Sequence, residues 1–508
     1  MDTPKKADSA GLSRREVLKL QGLALGGLAV GGCVPDGNCP DLDPIACPDV
    51  QSGSANRNTY FRAMRSFCLD SEPLAADEMR ITFLGSWFSP RISQAANSIF
   101  VEVGNALGQS DQFVFDCGTG VMAKYNAMGI PASKMTKIFL THLHGDHMSD
   151  LMHIYCFGPS ADRKSPLYVW GPKSSDFQYT DLAGNASGPY SDGTAAYCQL
   201  LREAARWHTE SFSFQTTAFT DDYIRRNQLT PGWTCPHATP SAPPAGKDGY
   251  DLVAFELDWT KEGFDENGQP VSNNVAYYNP ASGVKITHFP AVHARQGAIS
   301  YKLEWNGLSM IFTGDTKPNY HVVRQATNGV DVLIHEMTPP PEIWVEKFTG
   351  LQEGDAGYDL VYADLNRVQQ SSHTESKAYG YVLSLLSKAP RLAVGTHFPA
   401  EDDTIYSALE DLRVWYPSGD VVIASDLMVI KVAAGNVDVA RAVVSDYTWT
   451  PSAPLPSATY DPPKYWTWET NDDGSYVLDN GGNKIPVGDP YAQLYPGADI
   501  IPQSLWDI

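Results

Sequence analysis

The feature that most constrains this chain is the run Thr141-His142-Leu143-His144-Gly145-Asp146-His147. Three imidazoles and a carboxylate packed so closely are hard to explain unless something binds them. The stretch before it, 137–140, is apolar and reads as a strand, so the run falls at a strand end. In an extended segment alternate side chains share a face, so His142 and His144 point together while Leu143 turns towards the core. Gly145 lets the chain turn sharply, and Asp146 and His147 then project towards a second site beside the first. Neutral imidazole nitrogen and carboxylate oxygen are the ligands expected of zinc or a similar divalent ion.

The surrounding pattern is mixed α/β. Short apolar or alternating runs at 79–84, 98–103 and 112–115 read as strands that feed Asp116-Cys117-Gly118-Thr119-Gly120, and 121–128 suits a short helix. After 167–170 the texture loosens, and about 173–284 reads as an insertion over one face, a candidate lid. Strands resume at 285–288, 298–305, 308–312, 330–334, 392–394 and 421–432. Asn306-Gly307 gives a strong hairpin signal between two of them. Apolar spacing over 375–386 and 404–415 is helical.

The ends read differently. Residues 1–33 carry Lys5, Lys6 and the pair Arg14-Arg15 ahead of an uncharged stretch that is short and glycine-rich, which resembles a twin-arginine export signal. Val30-Gly31-Gly32-Cys33 is similar to the box before a lipidated cysteine, with ordinary cleavage nearby as the alternative. The expected setting is therefore periplasmic or membrane-anchored in a bacterium, with the export machinery as a partner and a lipid anchor at Cys33 if that box is used. Residues 34–58 read as a linker, 59–449 as the folded domain, and 450–508 as a Pro- and Tyr-rich extension. Of eight cysteines none shows a close CxxC spacing, which argues against a cysteine-held metal. The net charge of −22 gives a polyanion a repulsive average field, and no Lys/Arg cluster offsets it.

His142-Leu143-His144-Gly145-Asp146-His147 is similar to the HxHxDH signature of the metallo-β-lactamase superfamily, and further matches follow in the family's order. Asp116 resembles the carboxylate that orients ligand histidines from behind. His293, followed by Ser300-Tyr301-Lys302-Leu303, resembles the histidine that completes the first metal's set. His288 competes but lies farther from that strand. Asp315 in Thr313-Gly314-Asp315-Thr316 resembles the aspartate shared by both metals, and His397 in Gly395-Thr396-His397-Phe398 the last ligand of the second. A capped turn and a buried imidazole are the bland alternatives for these two. Ser165-Pro166-Leu167-Tyr168-Val169-Trp170-Gly171-Pro172, His335-Glu336, His373-Thr374 and Asp426-Leu427-Met428 resemble the ribonuclease Z and arylsulfatase-like branch. The chain is also similar to long hydrolases that carry a guanitoxin-biosynthesis label.

The resemblance implies an αββα four-layer sandwich with an inserted segment and a C-terminal extension. It implies two divalent ions, Zn2+ by ligand type, held by His142, His144, Asp146, His147, His293, Asp315 and His397, with a water activated between them. Asp146, Glu336 and His373 carry over as catalytic, the last two through proton donation, although they could be ordinary supporting groups. Only 21 residues separate His293 from Asp315, which leaves no room for the arm that tRNA-processing members insert there. The expected substrate is thus a small phosphodiester or sulfate ester, with no nucleic acid as partner. A lactone or β-lactam ring hydrolase and a non-catalytic exported binding protein are the alternatives. The oligomeric state is open.

Overall fold

The computed structural model describes residues 64–69, 71–104, 110–161, 163, 165–205, 207–208, 251–263, 274–445, 469–482 and 485. The export signal, Cys33, the linker and most of the C-terminal extension lie outside the described residues.

Short runs rich in β-branched and aromatic residues build two mixed sheets. The first half of the chain supplies β1 (Arg65–Phe67), β2 (Met79–Gly85), β3 (Ser98–Gly104), β4 (Ser110–Phe115), β5 (Lys137–Phe139) and β6 (Leu167–Pro172). After a small hairpin of β7 (Tyr179–Thr180) and β8 (Ala186–Ser187) comes β9 (Leu252–Leu257). The second half supplies β10 (Val275–Tyr278), β11 (Lys285–Pro290), β12 (Ile299–Trp305), β13 (Leu308–Phe312), β14 (Val332–Glu336), β15 (Leu392–Thr396) and β16 (Val421–Ile423). The chain then returns to the first sheet with β17 (Met428–Ala433) and β18 (Asn436–Ala442). Among the described residues the orders are β1-β18-β17-β2-β3-β4-β5-β6-β9 and β10-β11-β12-β13-β14-β15-β16.

The sheets face each other across one apolar layer to which both contribute, Phe113, Phe139 and Trp170 from one side and Tyr277, Tyr301 and Phe312 from the other. The outer face of the first sheet is covered by helices Val121–Ala127, Leu151–Phe157 and Thr194–Ala204. Helices Tyr320–Ala326, Ser376–Ser384 and Asp402–Arg413 cover the second. This is the expected αββα sandwich.

Four in-register aromatic residues tie neighbouring strands of the first sheet together. Phe115 pairs with Phe139, Phe139 with Trp170, and Trp170 with Phe255. Their ring centroids lie 5.2, 4.7 and 4.7 Å apart. Phe139, which carries the chain into the histidine run, has rings on both sides. Phe139→Ala should cost about 3–5 kcal/mol of stability, read as a lowered urea midpoint. A loss under about 1 kcal/mol would mean that the neighbouring rings collapse into the gap.

Three segments depart from the sequence expectations. Residues 421–432 are two strands in different sheets, because the chain turns a corner at Ala424 to Leu427, where Leu427 has φ of 68°. The range 173–284 contributes β9 to the edge of one sheet and β10 to the edge of the other. Between Glu336 and His373 stand two helices with no counterpart in the expected pattern, Pro341–Thr349 and Tyr358–Ser372. The hairpin at Asn306-Gly307 forms as expected, with φ of 49° and 75°, the left-handed pair that a two-residue turn requires.

Candidate metal centre

Strands β4, β5 and β6 run parallel, as do β13, β14 and β15, and the chemistry-bearing loops leave the carboxyl ends of both groups. Asp116 follows β4, the histidine run follows β5, Asp315 follows β13, Glu336 ends β14 and His397 follows β15. The histidine run is not extended throughout. Gly145–Met148 is a single helical turn, so Asp146 and His147 project from a helix start and not from a bare turn.

Three groups of possible ligands result among the described residues, each with its ligand atoms within 4.8 Å of one another. Two are built around the histidine run, His142, His144, His293 and Asp315, and Asp146, His147, Asp315 and His397; the third, His293, Asp315, Glu336 and His373, lies beside them. In the first, Nδ1 of His144 lies 3.0 Å from Nε2 of His142 and 3.2 Å from Nε2 of His293. In the second, Nε2 of His147 lies 3.3 Å from Asp146 and 3.2 Å from Asp315, while Nε2 of His397 is 3.2 and 3.4 Å from the same carboxylates. Asp315 belongs to both clusters. His288 is elsewhere, buried with Nε2 3.1 Å from the Asp258 carbonyl, so His293 is the histidine that reaches the site.

A network behind the ligands fixes which nitrogen faces inward. Buried Asp116, at φ of 56°, accepts from the Thr141 backbone N–H and hydroxyl, both at 2.8 Å, and from Nδ1 of His147 at 2.7 Å. Because the Thr141 hydroxyl donates to Asp116, it can accept from Nδ1 of His142 at 3.1 Å. His293 Nδ1 donates to the Ser372 carbonyl at 2.8 Å. These bonds aim Nε2 of all three rings at the centre and leave it with a lone pair in neutral His142 and His293. His397 is held at φ of 57°, a conformation that non-glycine residues adopt at a cost.

Buried atoms test whether cations fit. Nε2 of His147 and Oδ1 of Asp315 are sealed from solvent yet make no hydrogen bond, which is costly unless a ligand satisfies them. Burial holds His142 well below the ordinary imidazole range and His293 at about 4, so both present neutral nitrogen. His147 moves the other way. Burial lowers it, but Asp315, Asp116 and Asp146 outweigh burial and raise it well above its ordinary value. A pocket of three carboxylates thus demands positive charge, and divalent ions meet that demand with the donor set present.

Close packing of the motif loops leaves little tolerance. A Cβ on Gly118 would stand 1.9 Å from the Asp146 carbonyl oxygen and 2.7 Å from the Ala96 side chain. Gly118→Ala must push Asp146 away, and we expect a folded protein whose metal affinity is at least about 10-fold lower, measured by competition with a chromogenic chelator. Unchanged affinity would show that the Asp146 loop can shift without disturbing the ligands.

Beside the clusters, Glu336 and His373 form a pair. Glu336 is fully buried, and one of its oxygens accepts from Nδ1 of His373 at 2.8 Å while the other accepts from the Thr316 backbone N–H. Burial opposes charge on His373, but the Glu336 carboxylate prevails and the imidazole is pushed up to about 9. Sequence reasoning missed Thr141, which links Asp116 to His142, and the Ser372 carbonyl. A hydroxyl next to a ligand histidine was the legible signal for the first. The second depends on where a helix ends in space.

The family description "Metallo-beta-lactamase superfamily" matches residues 94–155. The chain is 26% identical over 267 residues to ribonuclease Z of Natronomonas pharaonis, covering 51% of this chain and 75% of that protein. It is 34% identical over 106 residues to ribonuclease BN of Cronobacter sakazakii, covering 20% of this chain and 34% of that one. Among solved structures, the metallo-β-lactamase-fold protein YhfI of Bacillus subtilis aligns with 70% of this chain and all of its own, at 13% identity and a TM-score of 0.41.

These relatives overturn one expectation. Proteins named as ribonucleases share the sequence, so the exclusion of nucleic acid, drawn from the net charge and the missing arm, does not stand. Net charge averages over the whole surface, whereas a scissile phosphate meets only the local field of the site. With its ligand clusters, the family match over residues 94–155 and the similarity to ribonucleases Z and BN, the chain is a metal-dependent hydrolase of ester bonds that resembles the ribonuclease Z-like branch of the metallo-β-lactamase superfamily.

Proposed function

We propose that the protein is a binuclear phosphodiesterase, with RNA among its substrates. The observation that carries this reading is Asp315, whose carboxylate belongs to both ligand clusters and whose buried Oδ1 faces His147 Nε2 at 3.2 Å without a hydrogen bond among the described residues. His142, His144 and His293 would hold one ion, Asp146, His147 and His397 the other, and Asp315 both. Zinc is the ion that the imidazole-rich set favours. When bound, such a pair supplies a Lewis acid and an activated water to an in-line displacement at phosphorus.

The protein's own groups do the rest. Asp116, Thr141 and the Ser372 carbonyl hold the imidazoles in one tautomer and one orientation. His373, kept protonated by Glu336, gives a proton to the departing oxygen. Support for a phosphodiester comes from the relatives named as ribonucleases together with this acid, since an alkoxide of ribose leaves poorly without a proton.

The test is a panel of bis(p-nitrophenyl) phosphate, p-nitrophenyl sulfate, an aliphatic lactone and a single-stranded RNA oligonucleotide, each incubated with zinc- or manganese-loaded protein. Turnover of the phosphodiester and the RNA is expected. Turnover of the lactone alone, or of nothing, would overturn the reading.

A further inference from the structure

One group of side chains next to the centre has no part in the mechanism above. The loop between β2 and β3 carries Trp87 and Phe88, and the helix Pro341–Thr349 carries Trp344 and Phe348 opposite them. Trp87 stacks on Trp344 with centroids 5.6 Å apart and planes 19° apart, and Trp344 stacks on Phe348 at 4.8 Å and 14°. Phe88 packs against Trp87 at 4.1 Å. This wall reaches the metal ligands. Phe88 lies 5.8 Å from the His397 ring, and His373 lies 5.6 Å from the same ring and nearly parallel to it.

Trp87 and Trp344 are buried and serve as the wall's foundation, whereas Phe88 is half-buried and Phe348 is 41% exposed. The same imidazole therefore neighbours both the proposed acid and a partly open aromatic ring. Both rings stand close enough to one metal ligand for a substrate bound there to meet them together.

The loop that carries Phe88 is firmly anchored. The Gln94 side-chain amide donates to the Ser86 hydroxyl and the Phe398 carbonyl, both at 2.9 Å, and its oxygen accepts from the Ala400 backbone N–H at 3.0 Å. Asp426 accepts from the Ala95 backbone N–H at 2.6 Å and the Ser86 hydroxyl at 2.9 Å. Arg91 and Gln94 close the loop with paired backbone hydrogen bonds, leaving Ile92 exposed at its tip. A ring held this way loses little freedom when something stacks on it, which is what a binding platform needs.

We propose that Phe88, backed by Trp87, Trp344 and Phe348, is a stacking platform for an unpaired nucleobase flanking the scissile phosphate. This proposal rests on the phosphodiesterase reading and adds a substrate preference to it, for a single-stranded segment over a duplex. Every base has a π-face, so the platform selects an aromatic group without selecting a sequence.

The test separates stacking from turnover. Binding of adenosine 5′- and 3′-monophosphate to metal-loaded protein is measured by calorimetry against ribose 5-phosphate and ribose 3-phosphate, which carry the same phosphate without the base. The wild type is expected to hold at least one nucleotide about 10-fold more tightly than its ribose counterpart. Phe88→Ala and Phe88→Leu should lose that preference with ribose phosphate binding and metal content unchanged, and Phe88→Tyr should keep it. A wild type with no preference for either nucleotide, or a preference that survives in both Phe88→Ala and Phe88→Leu, would overturn the platform. Phosphodiester turnover by the same wild-type preparation is read separately, so the platform can fail while the catalytic reading stands, and the reverse.

Discussion

Asp315→Ala should strip both metal sites at once, taking the protein from about two divalent ions per chain to almost none. Among the described residues, no other side chain belongs to both clusters built around the histidine run. His147 Nε2 would lose the carboxylate 3.2 Å away, His397 the one at 3.4 Å, and His293 the one at 3.7 Å. Without the bridging anion two dications side by side repel each other, so loss of one ligand becomes loss of the pair. Turnover of bis(p-nitrophenyl) phosphate should fall at least about a thousandfold, because both the nucleophile and the charge stabilisation go with the ions. His144→Ala is the comparison. It removes one ligand from one cluster, so it should weaken one ion and leave Asp146, His147 and His397 to hold the other. Metal analysis after dialysis distinguishes the two variants. Full occupancy and undiminished turnover in Asp315→Ala would end the binuclear assignment.

The centre was readable from sequence because its chemistry is concentrated in short motifs. His142, His144, Asp146 and His147 are local, and Asp116, His293, Asp315 and His397 each sit where a strand pattern ends. Apolar strands such as β2, β3, β12 and β13 were legible for the same reason: most of their side chains are buried, and the sequence carries that need residue by residue. What stayed hidden depends on contacts between distant segments. The corner at Leu427 is marked in the sequence only by Ser425-Asp426, with no glycine or proline, and the pairing of β16 and β17 with different sheets reveals it. The helix Pro341–Thr349 did carry local signals, a proline in its first turn and Gly350 as a left-handed cap, yet nine residues after a proline run make a weak pattern. Trp87 and Phe88 read as part of a loop. Their relation to His397 arises from a hydrogen-bonded loop meeting a helix more than 250 positions away.

The net charge misled because it is a property of the whole chain. The acidic residues of the segment 341–372, Glu342, Glu346, Glu353, Asp355, Asp359 and Asp364, count towards it as fully as those at the centre. The carboxylates that matter most, buried Asp116 and Asp315 and half-buried Asp146, lie among imidazoles and would be offset by bound ions. A phosphate approaching the ions would feel that local balance first.

His373→Ala should divide substrates by the quality of their leaving groups. A p-nitrophenolate departs without help, so its release from a phosphodiester should slow only a few-fold, whereas a ribose or alkyl leaving group should slow by about 10²–10⁴ in kcat. Glu336→Gln tests the other half of the pair. It keeps the size of the side chain and the oxygen available to the imidazole, but removes the buried negative charge that raises His373. The acid works only while protonated, so activity on a poor leaving group is lost as pH rises through the His373 value. Taking away the carboxylate lowers that value, and the alkaline limb of the pH–kcat profile should move to lower pH in Glu336→Gln while the p-nitrophenyl profile stays in place. Metal content must be unchanged in both variants for the comparison to hold; Glu336 and His373 form a third group with His293 and Asp315 but belong to neither of the two clusters proposed to hold the ions. Equal slowing of good and poor leaving groups would show that the pair only supports His293 and Asp315 from beside the site, and proton delivery to the departing oxygen would have to come from solvent.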